Sequence, residues 1–330
     1  MAFSIFKKET QKSFLVFDVG NGSVGGALVL KNEDGNLKII SSCRADIPTG
    51  EQVDFDNLFK STLQAIDDIS PSLTKTALSG TAPVFVILAS PWYVSQTKIV
   101  SIKNERILTL NRDLRDEIIS KEISDFEESL ANGNIKTAIG SPIKNKEKNE
   151  LDIIESQIIH STLNGYETSK PVDKKAAEAV LSLYLSVSQK NITSGITQKL
   201  YTHFPHSKIS FHSFPLAYFD AIRDIFPDKN DFLLLDVSGE ITDVSLVRKG
   251  VLLETVSFPM GRNFILRRVA SGLKRTVPEG LSLISMFLSG AIDAETRNKI
   301  YRIMSTLKKE WLAEFQKTFC GFIRRALCAG

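Results

Sequence analysis

The sequence predicts an α/β protein of two similar lobes facing each other, with a small α+β module inserted between them. Three observations carry this reading. Phe14-Leu-Val-Phe-Asp18-Val-Gly20-Asn-Gly22-Ser23 runs large apolar residues into one carboxylate, and a small-residue turn follows at once. Phe232-Leu-Leu-Leu-Asp236-Val-Ser238-Gly239-Glu240-Ile-Thr242-Asp243 repeats that pattern without a gap at an offset of 218 (236 minus 18). From Trp92 to about 205 the texture changes to charged and alternating segments, which interrupt the larger unit.

The elements follow in order. Phe14–Phe17 suits a strand buried on both faces, and Asp18 stands where that strand leaves the sheet, a usual ligand position in open α/β sheets. Val24–Leu30 and Leu37–Ile40 read as two further strands around the turn Asn32-Glu-Asp-Gly35-Asn36. Asp54 to Asp68 reads as a helix with Leu58, Phe59, Leu63, Ile66 and Ile69 on one face, ended by Ser70-Pro71. Val84–Ala89 is a buried strand. In the module, Val94–Ile102 is a strand, and Asn111–Leu130 a charged helix with Leu114, Ile118, Ile123, Phe126 and Leu130 inward. Asn132–Glu150 has no apolar period and reads as a flexible excursion. Leu151–Leu163 alternates, Asn164-Gly165 signals a hairpin turn, and Ala179–Val187 alternates again. Ile192, Ile196 and Leu200 mark a short helix, Ile209–Phe214 a closing strand, and Leu216–Phe226 an amphipathic helix. The expected division is 13–91 with 206–230 as the first lobe, 92–205 as the module and 231–330 as the second lobe.

Several functions are excluded or disfavoured. Gly20-Asn-Gly22-Ser-Val-Gly25 matches the dinucleotide fingerprint, but that fingerprint requires a helix to follow, and here a strand follows. No P-loop occurs. A net charge of +3, with acidic and basic residues interspersed, gives no nucleic-acid signature. Cys43, Cys320 and Cys328 have neither metal nor disulfide spacing and fit a reducing cytoplasm. His203, His206 and His212 lack a completing ligand and read as scattered surface histidines. No apolar run approaches the ~20 residues of a spanning helix, and no leader peptide is expected at the N-terminus.

The repeated motif has a specific chemistry. Two small-residue turns can approach a phosphate chain from opposite sides, because no large side chain blocks their backbone N–H groups. Two strand-end aspartates, Asp18 and Asp236, can hold Mg2+ largely through its waters. These residues resemble the actin/Hsp70/sugar-kinase superfamily. Phe14–Gly25 looks like its first phosphate motif, Leu233–Asp243 like its second, and Val256-Ser-Phe-Pro-Met-Gly261-Arg-Asn263 like its connecting segment. The module resembles the SHS2 (1C) subdomain of the bacterial division protein FtsA and the pilus-assembly protein PilM, nearer FtsA at Leu163-Asn-Gly-Tyr166 and Lys170-Pro171-Val172.

This resemblance implies a two-lobed actin-like (RNase H-like) ATPase fold binding ATP and Mg2+ between its halves. Gly20, Asn21, Gly22 and Ser23 would cradle the phosphates from one side. Ser238, Gly239 and Thr242 would do so from the other, with Gly261 beside them. Asp18, Asp236, Glu240 and Asp243 are the candidate catalytic carboxylates. The implied role is a cytoskeletal scaffold that recruits division or pilus-assembly proteins through the module at the inner face of the cytoplasmic membrane. Filaments of this chain and contact with the membrane surface also lie within that implication. A small-molecule kinase and a nucleotide-free interaction module are the alternatives.

The sequence also departs from the family. Ser238 and Glu240 stand where glycines are usual, and Ile241 stands at the threonine position. Glu240 either orients a water or repels a triphosphate, so hydrolysis is expected to be weak or absent. No strand ending in Gly-Gly, which the family uses against adenosine, appears before residue 330. Trp311, Leu312, Phe315, Phe319, Phe322, Ile323 and Leu327 share one helical face, expected to pack on the second lobe's sheet rather than in a membrane interface. Trp92 and Tyr93 are expected to pack at the module junction, and the charged helix to present a solvated face.

Overall fold

The computed structural model describes residues 12–75, 82–133 and 150–328. The first lobe grows from β1 (Lys12–Val19), whose alternate residues Leu15, Phe17 and Val19 are fully buried. Phe14, Val16 and Asp18 on the other face are only half-buried, which corrects the expectation of a strand buried on both sides. β1, β2 (Ser23–Lys31) and β3 (Leu37–Asp46) form an antiparallel meander.

Helix α1 (Phe55–Thr74) covers the buried face. Asp54 caps it by accepting from the Asn57 N–H at 3.0 Å. The helix does not stop at Pro71 but runs through it. An interior proline costs about 3 kcal/mol. Burying Leu73 completely, which returns about 1.5–3 kcal/mol, offsets it, and Ile69 is buried beside it. β4 (Val84–Leu88) then pairs parallel to β1.

The module is an antiparallel sheet of β5 (Val94–Thr109), β6 (Leu151–Leu163), β7 (Tyr166–Glu167) and β8 (Lys175–Gln189), in the order β5-β8-β6-β7. Asn164 and Gly165, both at positive φ, make the expected hairpin turn. Helix α2 (Arg112–Ala131) lies on this sheet. Of its five expected inward residues Phe126 and Leu130 are buried against Val94, Leu183, Leu185 and Val187, and the other three are half-buried. The excursion expected over 132–150 falls almost wholly outside the described residues.

Helix α3 (Lys190–Tyr201) returns the chain to the first lobe. Ile192, Ile196, Leu200 and Phe204 join the core of Leu15, Phe17, Ile66 and Trp92. Lys199 and His203 hold Asp67 of α1 at 3.0 and 2.6 Å. β9 (Ile209–Ser213) completes the sheet β3-β2-β1-β4-β9, and α4 (Phe214–Ile225) leads out of it.

The second lobe repeats the opening meander as β10 (Phe232–Val237), β11 (Thr242–Arg248) and β12 (Val251–Phe258). The duplication extends to register: Phe14 pairs with Val29 and Asp18 with Gly25, while Phe232 pairs with Val247 and Asp236 with Asp243. One face of this sheet packs Leu234, Val247 and Leu252 on Leu216 and Phe219 of α4 and on Tyr184 of the module. Three helices follow: α5 (Arg262–Gly272), α6 (Val277–Ser289) and α7 (Ala294–Cys328).

The sheet's other face takes Trp311, Phe315 and Phe322 of α7, whereas Leu312 and Phe319 of the expected stripe stay exposed. The side chains of Ile323 and Leu327 lie outside the described residues. Trp92 and Tyr93 pack in the first-lobe core. No helix among the described residues is long and apolar enough to cross a membrane.

Because α3 is anchored in the first lobe, Ile196→Ala should cost about 2–5 kcal/mol in chemical denaturation. Hydrogen exchange should then open at β1 and α1, while β6 and β8 stay protected.

Candidate functional site

Both repeated turns leave their sheets at equivalent points, and the fold brings them together. Each turn is first closed on itself: Gly20 N–H donates to the Ser23 carbonyl at 3.1 Å, and Ser238 N–H to the Ile241 carbonyl at 3.0 Å. The two turns then touch. A Cβ placed on Gly22 would stand 2.7 Å from Gly239 Cα, and one placed on Gly239 would stand 2.6 Å from Gly22 Cα. Only glycine permits that approach at either position. Gly261 is pressed just as closely, since a Cβ there would lie 2.6 Å from the Ser238 carbonyl oxygen.

Asn21 fastens the contact. Wholly buried, it donates from Nδ2 to the Ser90 carbonyl at 2.5 Å and accepts the Glu240 N–H on Oδ1 at 2.6 Å. Arg262 of α5 donates to the Gly22 carbonyl at 3.0 Å. Trp92 Nε1 donates to the Gly20 carbonyl at 3.0 Å. The sequence reading thus placed Gly20, Asn21, Gly22, Ser23, Ser238, Gly239 and Gly261 at one site, and the fold gathers them there. Thr242 points elsewhere: fully buried, its hydroxyl donates to the Met260 carbonyl and accepts from Trp311 Nε1.

Two of the four candidate carboxylates, Asp18 and Glu240, are engaged in ion pairs. Asp18 forms an ion pair with Arg44 of β3 at 2.7 Å, and the same guanidinium donates to the Ser23 hydroxyl at 2.8 Å. The Glu240 carboxylate is only 5% exposed. It accepts from Asn263 Nδ2 at 2.9 Å and from both terminal nitrogens of Arg267. Burial, and secondarily the charge of Asp18, raises the pKa of Asp236. Asp243, opposite it in the ladder, is pushed up to about 6, chiefly by burial. Hydroxyl donors Ser257 and Ser90 oppose that shift and the charge of Asp236 adds to it. One oxygen of Asp243, Oδ1, has no hydrogen-bond partner.

These residues do not fit Mg2+ and a phosphate chain in the arrangement they adopt. No phosphate group can lie between Gly22 and Gly239 while they are in contact. Asp18, an expected Mg2+ ligand, already carries a guanidinium. Asp243 is only 4% exposed, and no group of three or more His, Cys, Asp or Glu side chains among the described residues is arranged to hold a metal.

No protein-family model matches the sequence, and no curated protein sequence matches it. Comparison of structures is more informative. A PilM–PilN type IV pilus biogenesis complex superposes with a TM-score of 0.59 at 11% identity, over 94% of this chain and 77% of that one. The chain has the actin-like ATPase fold.

Weaker likenesses extend to the ethanolamine utilization protein EutJ from Carboxydothermus hydrogenoformans and to a Bacteroides thetaiotaomicron protein of actin-like ATPase fold and unknown function. The first has a TM-score of 0.44 at 10% identity, covering 94% of this chain and 73% of that one. The second has 0.39 at 11%, covering 81% and 79%. Both are too distant to add to the argument. The PilM likeness supports one side of the sequence expectation and leaves the leaning toward FtsA without support.

Arg44, Ser90, Arg262, Asn263 and Arg267 complete the site and were not singled out from the sequence for it. Only Asn263 and Arg262 carried a signal, standing directly after Gly261 in the connecting segment.

A carboxyl whose folded pKa is raised favours folding while protonated and loses that contribution as pH rises through its folded pKa. For Asp243 the loss falls between about pH 4 and the folded value of about 6. Asp243→Asn should therefore stabilise the protein at pH 8, by at most about 3 kcal/mol, and give little or no gain at pH 4. Thermal unfolding of both proteins across that range checks the sign.

Proposed function

We propose that this chain is an assembly scaffold of actin-like fold that holds an extended segment of a partner protein on its inserted module. The observation that carries the reading is a cavity of about 720 Å³ between α2 and β6, bordered by Arg115, Ile119, Gln157, His160, Glu167 and Val172. Its floor is a strand edge. β6 pairs with β8 along one side, but on the other only Thr162 and Leu163 pair with β7 among the described residues. The backbone from Ser156 to His160 therefore presents donors and acceptors to the cavity. An edge of this kind accepts an added strand, with side-chain pockets setting specificity. Ile119, Ile158 and Val172 offer apolar contacts, and Arg115 with Glu167 offers charges of both signs.

The likeness to a PilM–PilN complex supports a partner from a type IV pilus-like assembly. The proposal puts the encounter with that partner at the inner face of the cytoplasmic membrane, with the chain on the cytoplasmic side. Electrostatics weigh against turnover at three of the four candidate carboxylates: Asp18 and Glu240 are ion-paired and Asp243 is buried, while Asp236 is half-buried with a raised pKa.

A photo-reactive residue at Gln157 in the full chain, irradiated in the cells that make it, should yield one discrete protein adduct. Arg115→Glu should reduce that adduct at least severalfold with an unchanged unfolding temperature. The absence of any adduct at Gln157, or an adduct indifferent to Arg115→Glu, would count against the reading.

A further inference from the structure

We propose that an internal lock joins the two lobes at the seam where a phosphate chain would otherwise bind, so that the closed form needs no nucleotide. The proposal rests on the scaffold reading only for what closure serves; the lock itself stands on the seam's geometry.

Two glycine turns beside a helix N-terminus are a general recipe for an anion site, because their N–H groups point at the ligand. Here several of those donors are satisfied within the chain. Arg262 and Asn263, the first two residues of α5, donate their N–H groups to the Ser238 and Gly239 carbonyls at 2.9 and 2.7 Å. Gly261 N–H goes to the Glu240 carbonyl at 3.1 Å, and Glu240 N–H goes to Asn21. The helix end that would face a phosphate is thus capped by the second turn.

The cations are also taken. Arg44 is bound to Asp18, Arg262 to the Gly22 carbonyl and, at 3.6 Å, to Asp46, and Arg267 to Glu240. Glu240 is the residue on which the arrangement turns. It replaces a small residue with a side chain that carries its own anion, and α5 supplies both of that anion's partners, Arg267 and Asn263. The lock therefore needs nothing from solution. Its second half is steric: the turns meet Cα to Cα through Gly22 and Gly239, with no space between them.

The test uses the full chain with Mg·ATP as probe. Hydrogen exchange at 20–23 and 239–242 should be slow without nucleotide and unchanged by Mg·ATP, and the unfolding temperature should not move. Arg267→Gln should speed exchange at both turns by about tenfold or more while β6 and β8 keep their protection. Gly239→Ala, which forces the turns apart, should do the same where it folds. Saturable protection of the turns by Mg·ATP in the unaltered chain would overturn the proposal. So would an Arg267→Gln variant whose turns exchange no faster. Neither result touches cross-linking at Gln157, which judges the scaffold reading separately.

Discussion

The approach of Gly22 to Gly239 is the constraint on which the arrangement depends. Two backbones can meet this closely along their Cα–Cβ directions only where neither has a Cβ, and each lobe supplies one such point just after its first strand. Once the turns touch, the polar groups around them must find partners inside the seam, since water is excluded. Asn21 meets that demand by spanning Ser90 in one lobe and Glu240 in the other, using an amide donor and an amide acceptor at once. Arg267 and Asn263 meet it for the Glu240 carboxylate. A charge this buried is tolerable only with such partners.

The module reinforces the same joint. Thr97 of β5 donates to the Leu252 carbonyl of the second lobe at 2.6 Å. Tyr184 of β8 sits fully buried among Leu216, Phe219 and Leu234, and its hydroxyl meets Ser213 of β9 at 2.8 Å. Glu155 of β6 accepts from Ser186 and Ser213 in the same junction. The inserted sheet thus touches both lobes through apolar packing and hydrogen bonds. A segment bound along the outer edge of β6 would pair with the strand that carries Glu155 into that junction. Shared packing is a route for coupling.

Much of this was legible in the chain. The strand–turn–strand reading of 14–30, its copy at 232–247, the hairpin at Asn164-Gly165 and the packing of Trp311, Phe315 and Phe322 all follow from local periodicity and turn chemistry, which act over a few residues. Local rules failed where long-range contacts outweighed them. Pro71 reads as a stop, yet the burial of Leu73 carries α1 past it. The helix at 190–201 lies within the stretch read as the module, yet its Ile192, Ile196 and Leu200 find their neighbours on β1 and α1.

By itself the sequence determined that there are two matching turns, each preceded by an apolar strand and an aspartate, and it marked Glu240 as the odd residue of the second. Spacing and residue type suffice for that, because strand period and glycine tolerance are local properties. The tertiary structure decided what the turns do to each other. Whether two small-residue loops leave a space for phosphate or close on one another depends on how lobes about 200 residues apart in sequence come to rest. It depends equally on where Arg44, Arg262 and Arg267 place their charges. Those arginines belong to other elements, and no spacing in the chain links them to the aspartates and the glutamate they neutralise.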